Sequence, residues 1–581
     1  MKQNIQVFQN TASLWEKFLN LNPQLFREIK GKLKTRNIVI VAAISIIVQF
    51  LAALALLGEL PAFDPEELLK AQYGRYGLGN GYHDSLAYTK DMLGNWVINW
   101  QLLWLDLFMA LSVMAIFALI IVGTYMLIAD IVKEESRGTL NFIRLTPQSA
   151  SSILIGKILG VPILLYIAIL LLLPLHTVAG IGARIPLPLI ISFDAVIIAS
   201  CALIYSLAML WSLMNFGMSG FKPWLASGAI GLLLFVLTVA SFENKDLITN
   251  ALWDWLFLFN PSLVLSYLID ATYLPTSKIS FLSVRELGEL QFYGQALWTK
   301  ASFGIGFILF NFSLWTYWCW SVLKRRFHNP ENTLLSKVQS YWLTSWFVVM
   351  ALGFSIQSYS SRYYIRTDEI RTNNFVLLQF CLCLLGLILI AALSPHRQAL
   401  HDWARYRHQT NKNGNVLWKE LVFGENSPST IAVAINMAIA ITYIIPSIFL
   451  ILDADDRHTF WGFVLSGFAI VLCAVIAQLL LTLKTRKRAV WSAIAVANII
   501  IVPPLCLGFA DIVPKDIPQL WLFSLVPTVA TEYATFSGVM LAILGQFVAI
   551  SLAGFQMTRL LKQAGKSETK ILFEGNKAIS R

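Results

Sequence analysis

Long apolar segments recur along the whole chain, and they limit its fold more than any other feature of the sequence. About 20 consecutive apolar residues are enough to cross a bilayer as an α-helix. By this measure the chain contains about twelve spans, at 37–58, 103–129, 154–175, 188–213, 223–241, 303–323, 341–359, 375–394, 429–452, 459–482, 489–508 and 537–559. The predicted fold class is therefore an all-α polytopic membrane protein.

The composition excludes an ordinary soluble protein. Of the 581 residues, 57% are hydrophobic and 13% are charged, whereas soluble proteins carry about 25% charged residues. Basic residues that anchor cytoplasmic loops explain the net charge of +11, so we expect contact with membrane lipid and no binding of nucleic acid. The first 36 residues are polar and contain no cleavable signal peptide, which predicts that this tail is retained.

The six cysteines indicate packing rather than chemistry. All of them lie within apolar runs, where a thiol acts as a small packing residue. Cys381 and Cys383 form a C-L-C pair, but residues two apart on a helix point to different faces, and no histidine or acid is close in sequence. We therefore expect no metal site and no redox site from the cysteines.

The distribution of lysine and arginine among the loops predicts the orientation of the spans, because these residues concentrate on the cytoplasmic side. The tail before the first span is basic, and so is every second loop after it, including LKRRFHN, HRQALHDWARYRHQTNKN and LKTRKR. The alternate loops are acidic or mixed, although YSSRYYIRTDEIRT carries three arginines. The pattern predicts twelve spans with both termini in the cytoplasm.

Two short segments outside the predicted spans are alike. WLFLFNPSLVLSY at Trp255–Tyr267 and WLFSLVPTVATEY at Trp521–Tyr533 share Trp, Leu, Phe, Pro and Tyr at the same positions. Each follows the fifth span of its half, and each is too short and too interrupted by proline to cross a membrane alone. Chance similarity is the alternative to duplication. We expect Ser262 and Thr528 to face the outer solution.

Duplication of a six-span unit predicts two parallel repeats. The predicted organisation is a tail at 1–36, a first transmembrane domain at 37–330 and a second at 331–581. The outer hairpins of the two domains are expected at 251–270 and 518–533.

Two loops occupy matching positions in the repeats, between the second and third spans of each half. The first loop, 131–153, contains KEESRGTLNFIRLTPQS, and the second loop, 396–428, ends in NVLWKELVFGENSP. Each contains a short amphipathic run, then Pro and Ser, and then a new apolar span. Both loops are predicted to be cytoplasmic.

The segment EESRGTLNFIRLTPQSASSILIGK resembles the cytoplasmic loop of type two ATP-binding-cassette exporter permeases. NPQLFREIKGKLKTRN resembles the amphipathic connecting helix that precedes the first span in that family, and it places Phe26, Ile29 and Leu33 on one face. The second half lacks the G-T-L…T-P signature. The resemblance implies a membrane subunit that works with a separate ATPase, expected to be a dimer, which binds the ATP and magnesium while this chain binds no cofactor.

The first loop is the predicted docking element for that ATPase, with a solvated loop as the alternative. Residues 137–144 are expected to form a short amphipathic helix that ends before Pro147, with Leu140, Ile143 and Phe142 offered to a groove of the partner. The residues expected to couple to the ATPase are Glu134, Glu135, Arg137, Gly138, Thr139, Leu140, Ile143, Arg144, Thr146 and Pro147 in the first loop and Trp418, Lys419 and Glu420 in the second.

Several signatures of catalysis are missing from the sequence. QAGKS at 563–567 lacks the first glycine of a P-loop, whose place is taken by Leu560, and neither H-E-x-x-H nor G-x-S-x-G occurs. We therefore expect no enzymatic activity from this chain alone.

Charged groups within the spans are few. Asp106 and Asp194 are candidate functional carboxylates of the membrane region, and an interfacial position is the alternative for both. A proton- or sodium-coupled transporter would normally carry more such groups. The scarcity favours an energy source outside this chain.

Together these features predict the permease subunit of an ATP-driven exporter in a plasma membrane, such as a bacterial inner membrane. A secondary transporter or flippase and a non-transporting membrane scaffold are the alternatives. The substrate stays open, and the missing signature in the second half leaves room for a homodimer.

Overall fold

The computed structural model describes residues 22–61, 73–78, 86–92, 95–214, 220–243, 251–274, 287, 290–357, 367–410 and 414–565. The expectations about the tail before Asn22, most of the loop YSSRYYIRTDEIRT and the basic tail after Gly565 concern residues outside these ranges. The described residues form two compact units, and apart from short stretches that end at Trp253 and Gln295 the boundary falls between His328 and Asn329.

The first unit is built from helices. In chain order they are α1 (Pro23–Lys32), α2 (Thr35–Leu57), α3 (Trp100–Phe117), α4 (Gly123–Ser136), α5 (Thr139–Arg144), α6 (Ala150–Gly160), α7 (Ile163–Gly182), α8 (Leu187–Leu213), α9 (Lys222–Glu243), α10 (Asp254–Phe257), α11 (Leu263–Asp270) and α12 (Ala301–His328). A π-helical turn at Ala118–Val122 joins α3 to α4. The side chains of α3 and α8 supply much of the buried core.

The second unit is also built from long and short helices. They are α13 (Lys337–Ser355), α14 (Thr367–Leu393), α15 (Arg397–Thr410), α16 (Gly414–Phe423), α17 (Thr430–Ile451), α18 (Thr459–Leu481), α19 (Arg488–Phe509), α20 (Pro518–Trp521), α21 (Thr528–Thr531) and α22 (Phe536–Gly565). Helix α18 lies at the centre of this unit, because α14, α17, α19 and α22 all pack against it.

Strands are short and few among the described residues. They are β1 (Tyr73–Gly74), β2 (Leu86–Ala87), β3 (Thr89–Lys90), β4 (Trp96–Val97), β5 (Gln291–Phe292) and β6 (Gln295–Ala296). The pairs β1–β2 and β3–β4 are antiparallel, with Tyr73 opposite Ala87 and Thr89 opposite Val97. The described residues are therefore mostly helical, as predicted, and these two-residue ladders are the exception.

Ten helices of the described chain are long and apolar enough to cross a membrane, by length and composition. They are Thr35–Leu57, Trp100–Ser136, Ile163–Gly182, Leu187–Leu213, Lys222–Phe242, Arg371–Leu393, Thr430–Ile451, Asp455–Leu481, Arg488–Phe509 and Phe536–Gly565. In α2 and in α19 only 6% of an apolar stretch of 18 residues is buried within the chain. Large apolar surfaces of this kind are rare on soluble proteins, and a multi-pass membrane protein covers them with lipid.

The other two predicted spans, 303–323 and 341–359, are not among these ten. They fall mainly within α12 and α13, which have 28 and 19 residues. Tryptophans, tyrosines and polar residues such as Asn311 make these two helices less apolar than the rest. Twelve spans therefore stays a prediction.

The third span begins later than predicted. We expected 154–175, but the chain forms α6 first and starts a separate helix at Ile163. Pro162 lies at the break, where a proline cannot continue the hydrogen-bond pattern of the preceding helix. Residues of α6 therefore lie outside the candidate membrane span.

The two similar segments each contain two short helices around a proline. Pro261 precedes α11, and Pro527 immediately precedes α21. The expectation that Ser262 and Thr528 face solvent is wrong: their exposed fractions are 0% and 1%. The Thr238 hydroxyl donates to Ser262 at 3.2 Å, and the Thr528 hydroxyl donates to the side-chain oxygen of Gln379.

Candidate functional site

The first loop is a compact helical turn. Helix α4 runs to Ser136, and Gly138 then adopts a left-handed conformation with φ of 72°, which other residues adopt only with strain. Helix α5 begins directly after this glycine. The Thr139 hydroxyl donates to the Glu134 carbonyl at 3.1 Å, and the Thr146 hydroxyl donates to the Ile143 carbonyl at 2.7 Å. Both hydroxyls therefore fix the backbone of the turn.

The apolar residues that face solvent differ from those predicted. Leu140 and Ile143 are only 3% and 6% exposed, so the expectation that they are offered to a partner is wrong. The turn at Gly138 folds α5 back so that this face packs on α4. Phe142 and Leu145 are instead 74% and 83% exposed. The apolar surface of the first loop consists of these two side chains.

The remaining predicted residues of the first loop divide into two groups. Glu135, Arg137, Thr139, Thr146 and Pro147 are exposed, whereas Glu134, Gly138 and Arg144 are half-buried. The Arg144 guanidinium lies 5.9 Å from the ring centre of Phe327, at the end of α12. Burial lowers the pKa of Arg144, yet arginine stays charged in water at neutral pH. Arg144 therefore positions α5 against α12.

Helix α1 packs directly on α6, the helix that leaves the first loop. The side chain of Asn22 caps α1 by accepting from the amides of Gln24 and Leu25, and it donates to the Ser152 carbonyl at 2.7 Å. A Cβ at Gly156 would come within 2.8 Å of the Leu25 amide nitrogen. Glycine at this position allows α1 and α6 to touch. Because α6 leaves the first loop, this contact supports the end of the loop.

The two faces of α1 have different surroundings. Gln24, Leu25 and Glu28 are buried against the protein. Phe26 is 38% exposed, and Ile29 and Leu33 are half-buried. This arrangement leaves the predicted apolar face open to a lipid surface.

Six charged side chains form a network beneath the first loop. Its centre is Lys157 of α6, whose side chain is only 1% exposed. The Lys157 ammonium lies 2.6 Å from Asp130, 2.7 Å from Glu134 and 3.7 Å from Glu28. Arg27 and Lys32 of α1 complete the network by contacting Glu134 at 2.5 Å and Glu28 at 3.2 Å. We call these six residues the lysine-centred network.

Charge balance explains why the lysine-centred network is tolerated in a buried position. Three cations face three carboxylates, and buried charges are stable only when they are paired. Burial raises the pKa of Glu28, but Lys157 and Lys32 outweigh this effect and bring its pKa below 4.5. Burial lowers the pKa of Lys157, but Asp130 and Glu134 outweigh it and raise the pKa above 10.5. Glu28 and Lys157 are therefore both charged at neutral pH.

The three carboxylates of the lysine-centred network have the spacing of a metal site. Carboxylate oxygens of Glu28, Asp130 and Glu134 lie within 4.8 Å of one another, which is close enough to hold a cation. The Lys157 ammonium contacts all three carboxylates. It supplies the positive charge that a metal ion would otherwise provide.

The second loop contains two helices, α15 and α16, joined by a half-buried carboxylate. Glu420 accepts a hydrogen bond from the Trp403 indole at 3.1 Å and one from Arg407 at 3.2 Å. Glu420 therefore holds α16 against α15. Trp418 is 62% exposed and Lys419 is also exposed.

A buried lysine fixes the end of the second loop. Lys337 of α13 is 2% exposed, and its ammonium donates to the Leu421 carbonyl at 2.6 Å, the Ser427 hydroxyl at 2.6 Å and the Pro428 carbonyl at 3.0 Å. Burial lowers the pKa of Lys337 to about 8. The three acceptors use all three ammonium protons, so Lys337 is charged and fully bonded at neutral pH.

Sequence reasoning missed Lys157 and Lys337, although the sequence contains a signal for one of them. Lys157 stands alone in the apolar run ILIGKIL, and an isolated charge in an apolar helix requires a partner. Lys337 stands in the mixed segment SKVQSYW at the start of a helix, where a lysine is ordinarily solvated.

The two candidate intramembrane carboxylates have different environments. Asp106 accepts from Arg75 at 2.5 and 2.7 Å and from the Tyr76 hydroxyl at 3.1 Å, so it is paired with a segment that precedes α3. Asp194 lines a cavity between α3, α7 and α8 and lies 3.9 Å from Nδ1 of His176. The two carboxylates therefore have no contact pattern in common.

Comparison with protein-family models, with curated proteins and with solved structures found no match to this chain.

Proposed function

We propose that this chain is the membrane-spanning permease subunit of an ATP-driven exporter that works with a separate ATP-binding-cassette ATPase in a plasma membrane. The observation that carries the proposal is the pair Phe142 and Leu145. Both are exposed, they lie three residues apart at the end of α5, and they follow the G-T-L sequence that resembles the family's loop. Exposed apolar side chains on a rigid helical turn suit insertion into a partner's groove.

The connection between this surface and the membrane supports the proposal. The helical segment Trp100–Ser136 has 37 residues, whereas about 20 cross a bilayer. The segment therefore extends beyond the membrane and ends at α5. Movement of an ATPase bound to Phe142 and Leu145 would displace α5 and, through it, α4. The lysine-centred network ties α4 to α1 and α6, so these two helices would move with it.

The segment Trp100–Ser136 contains an irregular turn at which we expect it to bend. The π-helical turn at Ala118–Val122 interrupts the regular helix, and such turns are often found at functional sites. The Tyr205 hydroxyl donates to the Leu119 carbonyl at 2.7 Å, and a Cβ at Gly123 would come within 2.1 Å of that hydroxyl. We infer that the turn lets the outer half of the segment move relative to α4.

The two loops are proposed to engage the ATPase unequally. The second loop lacks the family signature, and Glu420 is engaged with α15 rather than with solvent. Trp418 and Phe423 are its most exposed large apolar side chains among the described residues, at 62% and 55%. ATP and magnesium bind the partner in this proposal, and one chain with two loops serves an ATPase dimer.

The test is copurification. Tagged chain is isolated from its native membranes, and ATPase subunits are identified by mass spectrometry and by ATP hydrolysis. We expect Phe142→Asp with Leu145→Asp to abolish association, and Trp418→Asp with Phe423→Asp to reduce it less. Leu483→Asp is the matched control, because Leu483 is an exposed leucine of another basic loop.

Two results would contradict the proposal. Normal association of the Phe142 and Leu145 variant would show that this surface does not dock the ATPase. Robust flux by the purified, reconstituted chain under a proton gradient alone would favour a secondary transporter.

A further inference from the structure

An apolar cavity in the first unit has one polar end. Its volume is about 440 Å³, within the range of small-molecule sites, and α7 and α8 supply most of its wall, which is rich in leucine and isoleucine. Leu170 and Ile198 beside it are 64% and 70% exposed. Since both lie in candidate membrane spans, the cavity opens toward the region that lipid would occupy.

The polar end consists of Ser112, His176 and Asp194. His176 is 2% exposed, its ring stacks on Phe108 at 4.4 Å between centres, and its Nε2 lies 2.9 Å from the Ser112 hydroxyl. The Ser112 hydroxyl is also 2.7 Å from the Phe108 carbonyl and donates its only proton there. Nε2 of His176 must therefore carry a proton and donate it to Ser112.

This assignment leaves acceptors without donors. In the neutral ring Nδ1 of His176 has a lone pair, and it has no hydrogen-bond partner in the described part of the chain. Nδ1 lies 3.9 Å from Asp194, whose carboxylate makes no hydrogen bond to the described residues. A buried acceptor without a donor is costly, and a carboxylate in a membrane span more so. The site therefore lacks a donor that carries positive charge.

We propose that this cavity binds an amphiphile with a primary amine head group and a single apolar chain. The ammonium would lie between Nδ1 of His176 and the Asp194 carboxylate and donate to both, since atoms 3.9 Å apart can share one donor group. The alkyl chain would lie along the apolar wall. A hydroxyl head group fits less well, because it has one proton for two acceptors and no charge for Asp194.

The site needs no ATPase, so its test is independent of the proposed transport function. The chain is placed in phosphatidylcholine nanodiscs with dodecylamine that carries a diazirine in its alkyl chain. After irradiation, crosslinked peptides are mapped by mass spectrometry. Crosslinks to α19, which is almost wholly lipid-facing, report the concentration of probe in the membrane and serve as the internal standard.

We expect crosslinks in α7 and α8 that unlabelled dodecylamine displaces and that dodecanol of the same chain length does not. Asp194→Asn should lower this crosslinking about tenfold relative to α19, because asparagine can still accept a hydrogen bond but has no charge to pair with the ammonium. Asp455→Asn, which changes an exposed carboxylate of the second unit, should leave it unchanged. Ala202→Phe should block the cavity without touching its polar end.

The wild-type competition alone is decisive if a variant fails to fold. Equal displacement by dodecanol would show that the cavity accepts any apolar chain, and the amine proposal would be overturned. Undiminished crosslinking in folded Asp194→Asn, or in folded Ala202→Phe, would also overturn it.

Discussion

The first and second loops, which lie at matching positions of the two predicted repeats, are held by different interactions. Beneath the first loop, Lys157 contacts three carboxylates, and α1 contributes three charged residues to the same cluster. Beneath the second loop, Lys337 bonds two carbonyls and a hydroxyl. A separate pair between Arg407 and Glu420 joins the two helices, with side chains about one fifth exposed.

The two kinds of contact predict different responses of the two loops to force. The lysine-centred network links three helices, so a displacement of α4 moves α1 and α6 with it. Lys337 instead fixes one short stretch of backbone to the start of α13. We therefore expect the first loop to transmit motion and the second loop to hold its own shape.

Lys157→Met should have the largest effect. The substitution keeps much of the side-chain volume but leaves Asp130 and Glu134 without their central cation, and removing one partner of a buried ion pair costs about 3–5 kcal/mol. We expect a lower thermal unfolding midpoint in detergent and less folded protein. Lys30→Met on the exposed face of α1 is the control, and equal midpoints for the two variants would refute the central role of Lys157.

Lys337→Met should destabilise the chain less. It removes three hydrogen bonds, but it also removes the cost of burying an ammonium, so the net loss is about 1–2 kcal/mol. Hydrogen exchange should quicken at 421–428 and stay unchanged in the first loop. The exposed Lys487→Met is the control. A loss as large as that of Lys157→Met would mean that both loops are braced equally.

The two lysines should also respond to pH in opposite directions. The pKa of Lys337 falls from 10.5 to about 8 on folding, so between these values the unfolded chain holds a proton that the folded chain has released. Stability therefore rises with pH in this window. The pKa of Lys157 is raised, so its contribution is complete below 10.5 and is lost only as pH rises above that value.

The measurement is the difference in free energy of unfolding between wild type and each lysine variant at pH 7 and pH 9. For Lys337→Met the difference should widen by on the order of 1 kcal/mol per pH unit above 8. For Lys157→Met it should not change. A constant difference for Lys337→Met would show that its three acceptors keep the ammonium charged throughout.

The sequence allows ten of the twelve proposed spans and the short helix of the first loop to be predicted, because both follow from local patterns of apolar residues and proline. The face that α5 buries could not be predicted. Leu140, Phe142, Ile143 and Leu145 surround a helix of fewer than two turns, so the choice depends on how the turn at Gly138 folds α5 onto α4. It also depends on α12, which is distant in sequence and contacts Arg144 through Phe327. The carboxylates that contact Lys157 come from α1 and α4, which are separated from α6 in the sequence, so they could not be predicted either.

Glu420→Gln should have the smallest effect and is the most direct test of the second loop. Glutamine can still accept from the Trp403 indole, so the change removes only the charge that faces Arg407. Partly exposed ion pairs contribute about 0–1 kcal/mol, and we expect the free energy of unfolding of the variant to lie within that range of the wild-type value. Asp402→Asn, which alters an exposed contact to Arg405 at 3.8 Å, is the control. If Glu420→Gln instead released α16 in hydrogen exchange and abolished ATPase association, the second loop would depend on charge as the first does, and the contrast between the loops would fail.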